Sequence, residues 1–282
     1  MKNSILLIGN TSSPDTERLK TEAENLGIKF GIISSHKVEL VEGKLLFKND
    51  NFSVEDFLAY DTYFFRGIGN KKIKKMEAVA NFLVLNGKRV VEKCLSETSL
   101  PIDKFVPASI SGLYNVPKSV LTNRNKVESD LNFFTFPVIA KVVNSSMGKG
   151  VEKINNLSEA LLFADSTSED FLIQEYFEIN YDTRVLVVGG KVLGGFNRYK
   201  VSDDNFLTTA MGGRREAALL STEQIESAIQ AANLHGLEIA GIDMFKANNR
   251  IYIIEVNASP KFRVFEKNTG VNVAKEIINY IS

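Results

Sequence analysis

One cysteine, Cys94, stands in a chain of 282 residues. That scarcity excludes an internal disulfide, and a lone thiol cannot build a zinc site. A reducing compartment is the simple reading. Net charge is missing as well: 34 basic residues balance 34 acidic ones, so nothing favours nucleic acid or an anionic membrane. The densest basic tract, Lys71-Lys72-Ile73-Lys74-Lys75, is expected to open a solvated helix face. No apolar run is long enough to span a bilayer. The run Ile5 to Ile8 is too short for a signal peptide and reads as a strand, so a cytoplasmic location is expected. There is no internal repeat and no low-complexity tract.

What is present is a 44% apolar composition, ample for a sizeable core in one large domain or two to three smaller ones. Up to about residue 100, short apolar runs alternate with helical patterns. Strands are expected at Ile5–Ile8, Lys29–Ile33, Thr62–Phe65 and Lys88–Val91, with helices from about Asp15 to Asn25 and Lys71 to Leu85. Such alternation argues for an open, mostly parallel α/β sheet. The character breaks between Glu97 and Pro107, where a helix could start. Beyond it, strands are expected at 119–121, 137–143, 151–154, 171–177, 183–188 and 191–198, with helices at 158–164, 221–234 and 272–281. Ser221 with Gln224 three residues later forms a capping box for the 221–234 helix. His235-Gly236 ends that helix, and His235 reads as its C-cap rather than as a base.

The most informative segment lies near the end. Gly241-Ile242-Asp243-Met244-Phe245 and Ile251 to Pro260 flank the turn Lys246-Ala247-Asn248-Asn249-Arg250 and read as a β-hairpin. Glu255 and Asn257, two apart, share a strand face. If Asp243 projects beside them, hard oxygen donors suited to Mg²⁺ or Mn²⁺ converge. The alternative is a polar sheet face ending in an Asx turn. Upstream, Lys141 leads into Asn144-Ser145-Ser146-Met147-Gly148-Lys149-Gly150, where glycines permit close backbone approach and successive N–H groups can form an anion concavity. A strand follows instead of a helix, so this is neither a Walker loop nor a dinucleotide fingerprint. The segment Leu172 to Phe177 fits an adenine-binding edge, with Glu175 or Asp182 available to ribose hydroxyls; a plain strand with an exposed acid is the alternative. A phosphate loop plus oxygen ligands for a dication is what ATP chemistry needs.

Together these segments resemble the ATP-grasp superfamily and, within it, the RimK-like carboxylate–amine ligases. The resemblance rests on Ala240-Gly241-Ile242-Asp243 through Glu255-Val256-Asn257-Ala258-Ser259-Pro260 to Thr269-Gly270-Val271, on Gln174-Glu175-Tyr176, and on Asp182-Thr183-Arg184 through Gly190. It implies an ATP-grasp fold of α/β and α+β lobes: a Rossmann-like pre-ATP-grasp lobe at 1–100, a small lobe with a flap loop at 101–172, and a C-terminal lobe with the metal site at 173–282. By resemblance, Lys104 and Lys141 contact ATP phosphates and residues 145–150 form the flap. Gln174, Glu175, Tyr176 and Phe177 make the adenine hinge, and Asp182 is a nucleotide contact. Asp243, Glu255 and Asn257 ligate metal, with Glu255 bridging two ions. Arg184 and Arg198 match basic positions near the reacting carboxyl, Arg198 being the candidate to stabilise an acyl phosphate and the tetrahedral intermediate. Either arginine could instead be a surface ion pair.

The implied activity is ATP-dependent amide-bond formation through an acyl phosphate, between a small-molecule or peptide carboxylate and an amino-acid amine, in a homodimer or homotetramer. It requires no nucleophilic side chain, which leaves Cys94, His36 and His235 without catalytic work. An ATP-binding module without turnover and a phosphotransferase on a small hydroxyl compound are the competing readings. Two stretches depart from the pattern: Phe206 to Gly213 lacks the expected basic and amide side chains, and Lys261-Phe262-Arg263-Val264-Phe265 replaces a Gly-containing turn. Both are expected where substrate would sit.

Overall fold

The computed structural model describes residues 3–42, 44–47, 53–69, 72–100, 113–143, 150–167, 169–201 and 213–282. The N-terminal part runs β1 (Ile5–Gly9), α1 (Pro14–Asn25), β2 (Phe30–Ser34), a hairpin of β3 (Val38–Val41) and β4 (Lys44–Phe47), α2 (Val54–Leu58), β5 (Thr62–Arg66), α3 (Ile73–Leu85) and β6 (Arg89–Val91). Strands β1, β2, β5 and β6 form a parallel sheet in the order β2-β1-β5-β6. Every residue of β1 is buried, as expected of a parallel strand covered on both faces. Ser13 caps α1 and Pro14 occupies its first turn. Helix α3 buries Met76, Val79, Ala80 and Leu83, one apolar stripe at helical spacing. The β3–β4 hairpin and α2 are elements that the sequence reading did not anticipate.

The next sheet contains β7 (Ser119–Thr122), β8 (Val138–Val142), β9 (Val151–Ile154) and β10 (Phe171–Glu175) in the antiparallel order β7-β10-β8-β9. Helices α4 (Val127–Leu131) and α5 (Leu157–Ser166) pack on it through Val127, Ala160, Phe163, Phe171 and Ile173. The expected lobe boundary at 172/173 falls inside β10.

The third sheet has the order β13-β12-β11-β14-β15, from β11 (Tyr181–Val188), β12 (Lys191–Tyr199), β13 (Arg215–Ala217), β14 (Ile239–Ala247) and β15 (Arg250–Asn257). One face carries Val185, Val187, Ile242 and Met244 against α6 (Thr222–Leu234), whose capping box of Ser221 and Gln224 is formed. The apolar half of the other face, Leu186, Val188, Phe196 and Ile239, packs on α7 (Arg263–Thr269) and α8 (Val273–Ile281) in a core shared with Ile5, Leu7 and Phe64 of the parallel sheet. Phe262 and Phe265 are fully buried there. The sequence placed the whole 261–265 stretch at the substrate; its two aromatics instead fill the joint between lobes.

Polar contacts fasten the same joint. Asp15 Oδ1 accepts the backbone N–H of Phe262 at 3.2 Å and of Arg263 at 3.1 Å. Arg66 Nη2 donates to the Pro260 carbonyl at 2.5 Å, and its guanidinium lies 5.2 Å from the Phe262 ring centre. Gly67 N–H donates to Ser259 Oγ at 2.9 Å. His235 is the C-cap of α6, and its buried ring puts Nε2 2.9 Å from Tyr114 Oη.

Candidate active site

The β14–β15 hairpin forms as read from the sequence, turning at Asn248 and Asn249, whose φ angles of 49° and 59° suit a primed two-residue turn. Cross-strand register then fixes the site. Asp243 lies opposite Glu255 and Gly241 opposite Asn257, so the two acids and the amide occupy one face. A bulge follows Asp243 in this pair. On the other side, Arg184 of β11 lies opposite Asp243, and Asp182 lies opposite Arg198 of β12. Asp182, Arg184, Arg198, Asp243, Glu255 and Asn257 therefore line one polar half-face. It continues without a break into the apolar half that anchors α7 and α8.

Within that half-face, four charges form a chain. Arg184 grips Asp243 with two donors, Nε to Oδ1 and Nη2 to Oδ2, the second at 2.5 Å. Arg198 grips Asp182 in the same forked way, Nε to Oδ1 at 2.7 Å and Nη2 to Oδ2 at 2.5 Å. Arg198 Nη2 also reaches Asp243 Oδ2 at 3.0 Å and closes the chain. Forked guanidinium–carboxylate pairing is the strong form of this contact. Asp182 and Asp243 are each 2% exposed. Burial alone would raise the Asp243 carboxyl, but the Arg184 and Arg198 guanidinium groups outweigh it and hold Asp243 below the usual carboxylate range. Burial works against the charge of Arg198, and Asp243 and Asp182 more than offset it, raising Arg198 above its ordinary value. Both arginines thus belong to a buried network, not to surface ion pairs of little worth.

Two carboxylates and an amide oxygen make a hard donor set that fits Mg²⁺ or Mn²⁺. Asn257 uses its Nδ2 to donate to the Gly241 carbonyl at 3.1 Å, which fixes which end of the amide is the acceptor. Among the described residues no cluster of three or more His, Cys, Asp or Glu side chains could hold a metal, so the amide is needed to complete this set. Oδ1 of Asp243 accepts from Arg184 and Oδ2 meets both arginines, so a dication would compete with two guanidinium charges for this carboxylate.

The described residues expected at the nucleotide fall on the small sheet and the connector that follows it. Lys141 Nζ donates to Gln174 Oε1 at 2.5 Å, and Gln174 Nε2 donates to Ser119 Oγ at 2.9 Å. The lysine expected at the phosphates thus lies against the first residue of the expected hinge. Glu175 is exposed at the end of β10, within 3.4 Å of the Lys118 N–H. Tyr176 donates its hydroxyl to Glu178, and burial followed by that contact pushes Tyr176 up to about 12. Lys153 Nζ sits 4.3 Å from the Tyr176 ring centre. Phe177 packs on Phe245 and Tyr252 at 5.2 and 4.7 Å, tying the connector to the hairpin that carries Asp243 and Glu255. Gly150, with a φ of 62°, accepts the Val142 N–H at its carbonyl at 2.9 Å. Lys104, Ser145, Ser146, Gly148 and Lys149 lie outside the described residues, as does 206–212.

Sequence reading expected Asp182 near the nucleotide; in the structure its carboxylate is held by the Arg198 guanidinium. The interlobe acids Asp15, Glu92 and Glu238 were not singled out at all.

Known proteins agree with this architecture. A family model described as a RimK-like ATP-grasp domain matches residues 110–281. A probable alpha-L-glutamate ligase of Haemophilus influenzae (strain PittEE) is 32% identical over 172 residues, covering 59% of this chain and only 58% of that relative. A probable alpha-L-glutamate ligase of Rhodopirellula baltica is 27% identical over 285 residues, 95% of this chain and 67% of that one. The ATP-grasp ligase PsnB, complexed with a minimal precursor, superposes with a TM-score of 0.73 at 18% identity, covering 100% of this chain and 98% of PsnB. PsnB has also been solved with a precursor variant, Mg and ADP. The fold is that of the ATP-grasp enzymes, a mixed α+β architecture. The chain belongs to the RimK-like ATP-grasp family.

Proposed function

We propose that this chain is an ATP-dependent carboxylate–amine ligase that joins an amino acid to a peptide, protein or small-molecule carboxylate through an acyl phosphate. One observation carries the reading: a single half-face of one sheet gathers Asp243, Glu255 and Asn257 with Arg184 and Arg198, in a chain of this family. The relatives named as glutamate ligases make L-glutamate the first amine to test, and the precursor peptide on PsnB makes a peptide a reasonable acceptor.

In this reading Asp243, Glu255 and Asn257 hold Mg²⁺ or Mn²⁺, which when bound neutralises charge on the nucleotide's phosphates. Lys104, Lys141 and the 145–150 loop bind those phosphates. Gln174 to Phe177 receive the adenine. Arg198 and Arg184 lie on the same half-face, where their positive charge orients the reacting carboxylate. Arg198, fixed before substrate arrives, supplies positive charge where negative charge develops as the acyl group transfers. No side-chain nucleophile is used.

The test is to incubate the protein with Mg²⁺, ATP and an amino-acid and peptide panel, with and without hydroxylamine. Substrate-dependent ADP release with hydroxamate formation is expected. ADP release without hydroxamate would point to phosphotransfer to a hydroxyl. ATP binding with no release under any substrate would contradict the ligase reading.

A further inference from the structure

The four-charge chain holds more than its members' separate roles. Arg198 is shared unequally: a fork to Asp182, at 2.7 and 2.5 Å, and one arm to Asp243 at 3.0 Å. Among the described residues, the Arg184 guanidinium hydrogen-bonds to Asp243 alone. A cation that draws Asp243 off its guanidinium partners breaks both of those Arg184 contacts but only the weaker arm of Arg198. The two arginines, alike in sequence, are anchored differently.

We propose that Asp182 is a positioning residue: it keeps Arg198 in place when Asp243 passes from guanidinium to a dication, while Arg184 is the group released. This rests on the reading of Asp243 as a metal ligand. Asp182 then acts on the metal site indirectly. Its pull on Arg198 limits how strongly that guanidinium competes for Asp243. Without the Asp182 charge, Arg198 turns wholly toward Asp243 and competes harder. Without Arg184, a competitor is gone. The two substitutions must shift metal affinity in opposite directions. A nucleotide contact at Asp182 would predict something else, namely no effect on a metal bound in the absence of nucleotide.

The experiment is a Mn²⁺ titration followed by electron paramagnetic resonance, on the full chain, with no nucleotide or substrate. Asp243→Asn should weaken Mn²⁺ binding by an order of magnitude or more. Against wild type, Asp182→Asn should weaken Mn²⁺ by roughly fivefold and Arg184→Gln should tighten it by about as much, the low end of ordinary coupling between competing ligands. Asp182→Glu, which keeps the charge, should recover most of the loss. In an Arg198→Gln background Asp182→Asn should have no effect. If Asp182→Asn does not fold, Asp182→Ser takes its place. Mn²⁺ affinity within about twofold of wild type for Asp182→Asn, while Asp243→Asn abolishes binding, would overturn this proposal and leave the metal reading standing. Unchanged binding in Asp243→Asn would sink the metal reading itself. A second readout separates the roles: the preference for ADP over 2′-deoxy-ADP, with Mg²⁺, should be the same in wild type and Asp182→Asn. Loss of that preference would assign Asp182 to the ribose and overturn the proposal.

Discussion

Glu92 sits at the end of β6 with a φ of 79°, in the left-handed region that few residues other than glycine adopt. Its backbone N–H donates to Glu238 Oε2 at 2.9 Å, and Glu238 N–H donates back to Glu92 Oε2 at 3.1 Å. Glu92 Oε1 is buried without a hydrogen-bond partner among the described residues. Burial pushes the Glu92 carboxyl well above the usual carboxylate range; the Glu238 N–H and Arg66 oppose that shift, and the Glu238 charge adds to it. A carboxyl raised in the folded state binds its proton more tightly there than in the unfolded chain. Stability therefore falls as pH rises from the ordinary carboxylate range, about 4.3, towards the raised value, and the full penalty applies above it. Glu92→Gln should consequently stabilise the protein at pH 8, by on the order of 1 kcal/mol, and gain much less at pH 5. Thermal unfolding across pH checks this; an equal loss of stability at both pH values would refute it. Nothing in the sequence around Val90-Val91-Glu92 announces the pair, because its partner lies 146 residues away. The shared face of the proposed metal ligands was legible for the opposite reason. Asp243, Glu255 and Asn257 sit on one local hairpin, where spacing alone decides which side chains share a face.

At the scale of elements, long periodic segments were legible and short ones were not. Helices α1, α3, α6 and α8 and the strands of the three main sheets other than β13 follow from apolar spacing and end signals; β13, three residues long, was missed. The hairpin β3–β4, the five-residue helices α2 and α4, and α7 were missed. Helix α7 shows why. Phe262 at its start provides no side-chain cap; Asp15 of α1 accepts the first backbone N–H groups instead, so the signal for this helix lies outside it. Two predictions belong here. Ser221→Ala removes an acceptor for the Gln224 N–H and should cost about 1 kcal/mol in chemical denaturation. Asn249→Val forces a β-branched residue into a φ of 59° and should cost roughly 1–2 kcal/mol, whereas Asn248→Gly should be neutral or stabilising. Equal effects of the two Asn substitutions would argue against the primed turn that sets the Asp243–Glu255 register.

Across the whole molecule, the parallel sheet and the C-terminal sheet are joined by one apolar core and by contacts spanning 194 residues from Arg66 to Pro260 and 247 from Asp15 to Phe262. These hold the loop directly after Asn257, so the position of the end of β15 depends on the parallel sheet. Arg66→Ala leaves the Pro260 carbonyl without that donor and uncovers Phe262; a loss on the order of 2 kcal/mol in global stability is expected by denaturant titration. The central claim concerns the half-face itself: Asp243 and Glu255 hold a dication against a nucleotide. Removing both acids frees Arg184 to attract phosphate unaided, so affinity alone misleads and metal dependence is what decides. The direct measurement is calorimetric titration of ADP into wild type and the Asp243→Ala, Glu255→Ala double variant, each with Mg²⁺ and with chelator. Wild type should bind ADP much more tightly with Mg²⁺, and the variant should bind it equally well either way. The same Mg²⁺ dependence in both proteins would contradict the account.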